Sequence, residues 1–231
     1  MNILDARILL KRSTTAGVTP TIPASSTHTD GSWINTDIYS GEAFLNTVDQ
    51  RIFVRTGANI KEIPFQNYWV GQSIGGGVVF HVYRDSSNVE HGLICSIVEQ
   101  STGSAYSNID NASIGTARSY DGQYNTNLMK AQTGATSGAW KFADDYSYGG
   151  FTDWYLPSID ELSFLFQNRF NVNKTLASIV GATQIPTQNN YWSSTEVNGI
   201  NTIAFLFDLE QGWIKTYDKF ESHRVRAIRQ F

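Results

Sequence analysis

The chain has 231 residues, 41% hydrophobic and only 16% charged, which excludes intrinsic disorder, a state that needs little apolar material and much charge. Its net charge of −4 comes with no basic stripe, so nothing marks a nucleic-acid binder, and no stretch nears the ~20 apolar residues of a membrane helix. Cys95 is the single cysteine, so no intrachain disulfide forms and a thiolate metal site would need other ligand types.

Six Trp, eleven Tyr, thirteen Phe and nineteen Gly argue for a β-rich, turn-rich chain over a helical bundle. Residues 1–12 hold a short apolar run broken by Asp5 and Arg7, with no secretory cleavage pattern. The expectation is a soluble chain made in a host cytoplasm, which reaches the outside by lysis or on a particle.

Residues 3–10 read as a short strand. Residues 13–40, rich in Thr, Ser, Pro, Gly and Asn, resist helix and packed strand and read as an extended arm or surface loop. Residues 42–46 and 51–55 read as a β-hairpin closed by Thr56 and Gly57. Ile52 and Val54 fall on one side of its second strand, and Arg51, Phe53 and Arg55 on the other. Such a hairpin is marginal alone in water and needs partners.

A denser domain begins near Phe65. Residues 78–83 and 92–98 read as strands around a polar turn at 85–88, followed by a loop-rich stretch at 101–124. Short helices are expected at 125–132 and 137–146. Ser158 with Glu161 three residues on is a capping box, and Pro157 blocks extension upstream. Leu162, Leu165 and Phe166 then give the helix its apolar face. Residues 203–209 and 213–217 read as a hairpin, and residues 224–229 as a last strand.

Several residue sets invite a chemical reading and also have a plainer one. Gly75, Gly76 and Gly77 lack the spacing of a dinucleotide fingerprint or a P-loop, and read as a sharp entry into a strand. His91 and Cys95 share a strand face but lack a third metal ligand. Asp144, Asp145, Asp153, Asp160 and Glu161 cluster as glycosidase carboxylates would, yet Asp160 and Glu161 sit where a helix start favours acids. Ser193, Ser194 and His223 make a hydrolase triad only on paper, because no nucleophile elbow surrounds either serine. Asn111 and Asn173 match the glycosylation pattern, which carries little without a secretory segment. Trp154 and Trp192 read as core. Trp213, Lys215 and Tyr217 alternate on one face of the final hairpin and are the candidate ligand-binding residues.

Four blocks in order then resemble a known family. They are Ile74–Phe80 with His91–Ile94; Gly149 and Gly150 with Asp153–Ser158 and Asp160–Leu162; Tyr191–Glu196; and Val225–Arg229. Residues 71–231 thereby resemble the C-terminal domain of the collagen-like Legionella adhesin. The resemblance implies a C-type-lectin-like fold, related to formylglycine-generating enzymes and phage variable tropism proteins, and adhesion or glycan binding, usually as a trimer. Cys95 alone cannot supply the cysteine pair of the formylglycine enzymes, so their activity is not implied. The calcium signature of sugar-binding C-type lectins is absent too, so no metal is implied. Ile8–Ser13, Gly41–Ala43, Asn46, Asp49, Ile52–Val54 and Gly57 resemble phage fibre and attachment modules, among them the head-fibre proteins of crAss-like phages.

The expected fold is α+β: a C-type-lectin-like adhesin domain at residues 66–231, carried by a β-rich arm at residues 1–65 that anchors to a virion and oligomerises. The expected function is that of a non-enzymatic phage fibre or capsid-decoration subunit on the virion surface. Its expected partners are a capsid or tail protein through residues 1–65, two further copies in a homotrimer, and host-surface glycan or protein. No cofactor, nucleic acid or membrane insertion is expected. A ligand-free decoration protein and a polysaccharide depolymerase are the alternatives.

Overall fold

A computed structural model describes residues 11–24, 34–48, 51–63 and 67–231. The chain divides into two compact units, residues 1–66 and 67–231. The strand read at residues 3–10 lies outside the described residues.

In the first unit four strands, β1 (Lys11–Ser13), β2 (Ala43–Asn46), β3 (Arg51–Thr56) and β4 (Asn59–Ile63), form one sheet in that order. β1 runs parallel to β2, and the other pairs are antiparallel. Phe44 faces Phe53 across the β2–β3 pair, edge to face at 6.4 Å between centroids, and Ile38 completes a small core. Phe53 is buried despite its charged neighbours because the Arg51 guanidinium lies over its ring at 4.8 Å. Its face of the strand is therefore the inner one.

Two expectations are corrected here. Thr56 and Gly57 do not close the β2–β3 hairpin; they turn β3 into β4, a strand whose polar residues hid its alternation. The described parts of 13–40 are irregular but are no free arm. Thr21 bridges to Asp37, whose buried carboxylate accepts the Thr21 hydroxyl at 2.6 Å and the Ile34 N–H at 2.9 Å. Asn46, also buried, donates to the Thr15 and Val18 carbonyls at 3.0 Å each.

The second unit contains β5 (Ser73–Ile74), β6 (Gly77–Arg84), β7 (Glu90–Ser96) and β8 (Ser101–Ser104). Four helices follow: α1 (Gly122–Ala131), α2 (Ala139–Asp144), α3 (Ile159–Gln167) and α4 (Arg169–Leu176). It ends with β9 (Asn190–Glu196), β10 (Ile203–Asp208), β11 (Trp213–Asp218), β12 (His223–Val225) and β13 (Ile228–Gln230). The strands make two sheets, ordered β13-β7-β6-β5 and β11-β10-β9-β12-β8. Pairing is antiparallel except between β12 and β9. The architecture is α+β and rich in β-structure.

The capping box forms as read: Ser158 accepts from the Glu161 N–H, and Glu161 accepts from the Ser158 N–H at 2.7 Å. Asp85 shapes the β6–β7 turn by accepting the Ser87 and Val89 N–H groups, each at 2.9 Å. β8 and α4 were not foreseen, because each is short and polar.

The last strand read at residues 224–229 is in fact two. The chain leaves one sheet after Val225 and enters the other at Ile228. Arg226 makes the crossing: its buried guanidinium donates to the Ser96 carbonyl at 3.1 Å and to the Thr183 carbonyl at 2.6 Å. Ala227 accepts from the Ser96 N–H at 2.9 Å. The buried Arg226 side chain thus ties the crossing to the end of β7 and to the loop at Thr183.

Candidate binding surfaces

Among the described residues β11 pairs with β10 alone, which makes it an edge strand of its sheet. Trp213, Lys215 and Tyr217 stand opposite Asp208, Leu206 and Ala204 and share one face. Trp213 is 63% exposed, Tyr217 37%, and Ile214 on the other face 50%. The Lys215 ammonium donates to Asp208 at 2.6 Å. That bond raises the Lys215 pKa. Burial works to raise Asp208, but Lys215 and the Gln211 and Glu210 N–H groups outweigh it and hold the carboxyl below its usual range.

Behind Tyr217 a row of rings runs into the core. His223 lies 5.0 Å from Tyr217 and 4.8 Å from Trp192, and Trp192 lies 5.5 Å from Tyr106, each nearly edge to face. Burial depresses the His223 pKa, which favours neutral imidazole. A ligand on this face would rest on a rigid backing.

The catalytic sets of the sequence are engaged elsewhere. The Ser193 hydroxyl donates to the Phe205 carbonyl at 2.7 Å, and the Ser194 hydroxyl accepts from Asn125 at 3.3 Å; both serines are buried. Asp144 pairs with Lys130, Asp145 with Lys141 and Asp153 with Arg229. Among the described residues no cluster of His, Cys, Asp and Glu has the makings of a metal site. His91 pairs with Asp85, while Cys95 is fully buried and burial pushes its thiol up to about 11. Asn173 spends its amide on both backbone groups of Ile185 at 2.8 Å. Trp154 and Trp192 are core residues.

A pocket of about 330 Å³ lies where α3 meets the β6–β7 pair. Gln230, Leu93 and His81 stand in register across β13, β7 and β6 and line it, with Tyr83 two residues beyond His81. From α3, Phe164 stacks on His81 with centroids 3.9 Å apart and planes 7° from parallel. Tyr120, 70% exposed, enters from the segment before α1. Its neighbour Ser119 is tied to α3: the Ser119 hydroxyl donates to Asp160 Oδ2 at 2.7 Å, and its carbonyl accepts the Asp160 N–H at 2.9 Å.

Glu161 also lines the pocket. It is 3% exposed and accepts from the Tyr155 hydroxyl at 3.0 Å. Burial raises its carboxyl to about 7 against several opposing hydrogen bonds. Burial also depresses His81, and it raises Tyr83, to which the charges of Glu161 and Asp85 add. Sequence reasoning missed this pocket as a site. Alternation of His81 and Tyr83 along one strand was its only readable trace, and Tyr120 sits in a loop with no pattern at all.

These features describe a β-rich α+β domain with exposed aromatic side chains at the β11 edge and around the α3 pocket. The sequence model of the Lcl C-terminal domain matches residues 99–229, more than half of the chain. The chain belongs to the Lcl C-terminal domain family. Among solved structures, a fimbrial protein from Bacteroides ovatus ATCC 8483 is similar in fold, with a TM-score of 0.55 at 14% sequence identity. The likeness covers 81% of this chain and 60% of the fimbrial one. None of the curated proteins matches the sequence.

Proposed function

We propose that this chain is a non-enzymatic, adhesin-like surface subunit of a phage particle. Residues 67–231 form a C-type-lectin-like head that binds host-surface glycan or protein, and residues 1–66 anchor and trimerise it. The observation that carries the reading is the β11 edge, where Trp213 and Tyr217 stand exposed on one face and Tyr217 is backed by the His223–Trp192 row of rings. Large aromatic side chains held this way are what binding surfaces use, since they offer contact area at little entropic cost. Family membership supports adhesion, and the two mostly antiparallel sheets, linked through the crossing at residues 226–227, support the lectin-like fold. The ion pairs of Asp144, Asp145 and Asp153 and the buried hydrogen bonds of Ser193 and Ser194 support a role without turnover.

The anchoring role is supported by the outer face of the first sheet. Leu45, Ile52 and Ile63 stand in register across β2, β3 and β4, with Val54 beside them, all partly exposed. Among the described residues the first unit has a small apolar core, centred on Ile38, Phe44 and Phe53, and it gains by covering such a face. Several linked heads then raise avidity by ~10²–10⁴.

Two measurements test this. Light scattering on the full chain should give three times 25.8 kDa; a monomer at all concentrations removes the intrinsic trimer. Labelled chain should adhere to host cells, and Trp213→Ala should weaken adhesion about tenfold, the loss of one aromatic anchor. Hydrolysis of host polysaccharide by the pure protein would overturn the non-enzymatic role.

A further inference from the structure

We infer that the pocket formed by His81, Tyr83, Tyr120, Asp160, Phe164 and Gln230 is a sugar site that takes one neutral hexose-type ring. The inference rests on the adhesin reading and assigns it a pocket separate from the β11 edge.

The chemistry of the lining selects the ligand. Among the described residues no lysine or arginine lines the pocket, and the Asp160 carboxylate does, beside Glu161, whose burial favours the protonated form. An anionic ligand, such as a uronic acid or a sulfated sugar, would meet like charge with nothing to offset it. An uncharged polyol instead brings hydroxyl donors, and the pocket supplies acceptors. Asp160 spends Oδ2 on Ser119, while Oδ1 is engaged by no described residue. Hydroxyl donors to an ionised carboxylate form short, strong hydrogen bonds. The Tyr83 and Tyr120 hydroxyls also have no described partner.

Ring geometry argues against the other ligand that aromatic pockets favour, an organic cation held over ring faces. The two innermost rings, His81 and Phe164, cover each other. A quaternary ammonium also has no hydrogen-bond donor for Asp160. A sugar ring uses both kinds of group, its C–H face against Tyr120 and its hydroxyls toward Asp160 and Gln230. A volume of about 330 Å³ is at the small end of the ~300–1,000 Å³ range of ligand pockets, which suits one ring and not a long chain.

The site is also preorganised. Ser119 bonds α3 through both its hydroxyl and its carbonyl, which places Tyr120 next to Asp160 before any ligand arrives.

The test is ligand-observed saturation-transfer NMR on the full chain. The probes are methyl α-glycosides of glucose, galactose, mannose and N-acetylglucosamine, with choline and glucuronate as charged comparisons. At least one neutral glycoside is expected to bind. Tyr120→Ala should weaken it about tenfold, the loss of one aromatic contact, and Asp160→Asn should weaken it several-fold. Tyr120 is exposed, so its removal leaves the fold intact, and an unchanged thermal midpoint checks this. Binding of choline or glucuronate in place of the neutral sugars overturns the inference, as does a glycoside signal unmoved by both substitutions. If cells still bind the chain while none of the glycosides does, the pocket assignment fails and the adhesin reading stands. If neither cells nor glycosides bind, both fail.

Discussion

Lys219 and Glu196 form an ion pair with no access to solvent: Lys219 is 0% exposed and Glu196 3%. Glu196 also accepts the N–H groups of Ile114 and Gly115 at 2.9 Å and of Thr116 at 3.2 Å, while Lys219 donates to the Ala112 carbonyl at 2.9 Å. The pair thus holds a loop that carries no regular structure of its own. Removing one partner strands a buried charge. Lys219→Met is therefore expected to cost about 3–5 kcal/mol in urea unfolding. Adding Glu196→Gln to it should cost far less than the sum of the single changes. In Glu196→Gln, amide exchange at residues 114–116 should rise before exchange in the sheets does. Additive losses would mean that the two residues act separately.

How far such features can be read from sequence depends on the range of the interaction. Ser158 and Glu161 lie within one helical turn, so their capping box was legible, and so was the alternation that places Trp213, Lys215 and Tyr217 on one face. Glu196 and its loop are about eighty residues apart, and no local pattern links a carboxylate to three distant N–H groups. The sheet crossing at Arg226 was hidden for a related reason. Val225, Ala227 and Ile228 are all buried, as in a continuous strand, and the partners of Arg226, Ser96 and Thr183, lie far away in sequence. The pocket draws on β6, β7, α3, β13 and a loop, and no single segment carries its signature.

Two glycines should fail in different ways. Gly77 opens β6, and a Cβ there would lie 2.1 Å from the Cys95 carbonyl oxygen, a backbone atom that cannot turn aside. Gly77→Ala must push β6 from β7 and is expected to cost ~3 kcal/mol or more, at or above the top of the usual overpacking range. Gly150 has φ +85° with open space where its Cβ would be, so Gly150→Ala should cost only the ~1–2 kcal/mol of a left-handed residue. Urea midpoints of the two variants check the order, and equal losses would show that the β6–β7 approach is looser than 2.1 Å implies.

Cys95 should be chemically silent while the protein is folded. Burial excludes reagents and pushes the thiol up to about 11, so little thiolate exists at neutral pH. Ellman's reagent is expected to give no signal in native buffer and one thiol per chain in denaturant. Fast native reaction would mean that the β6–β7 sheet opens readily.

Glu161 gives the fold a pH dependence of unusual sign. Its folded carboxyl sits at about 7 against an ordinary 4.5, so the folded state binds the proton more tightly than the unfolded chain. Its contribution is full below pH 4.5 and is lost as pH rises through about 7. Most carboxylates held by partners act in the opposite direction. Asp37, pulled down by Thr21 and Ile34, loses its contribution as pH falls below the ordinary carboxylate range. Glu161→Gln separates the two effects, because an amide cannot ionise yet still accepts the Ser158 N–H. It must reverse the Tyr155 bond, a cost that does not vary with pH, so the diagnostic is slope and not absolute stability. Relative to the unsubstituted chain, the variant should gain in urea midpoint between pH 5 and pH 8. Parallel midpoints across that range would mean that Glu161 ionises normally in the folded protein.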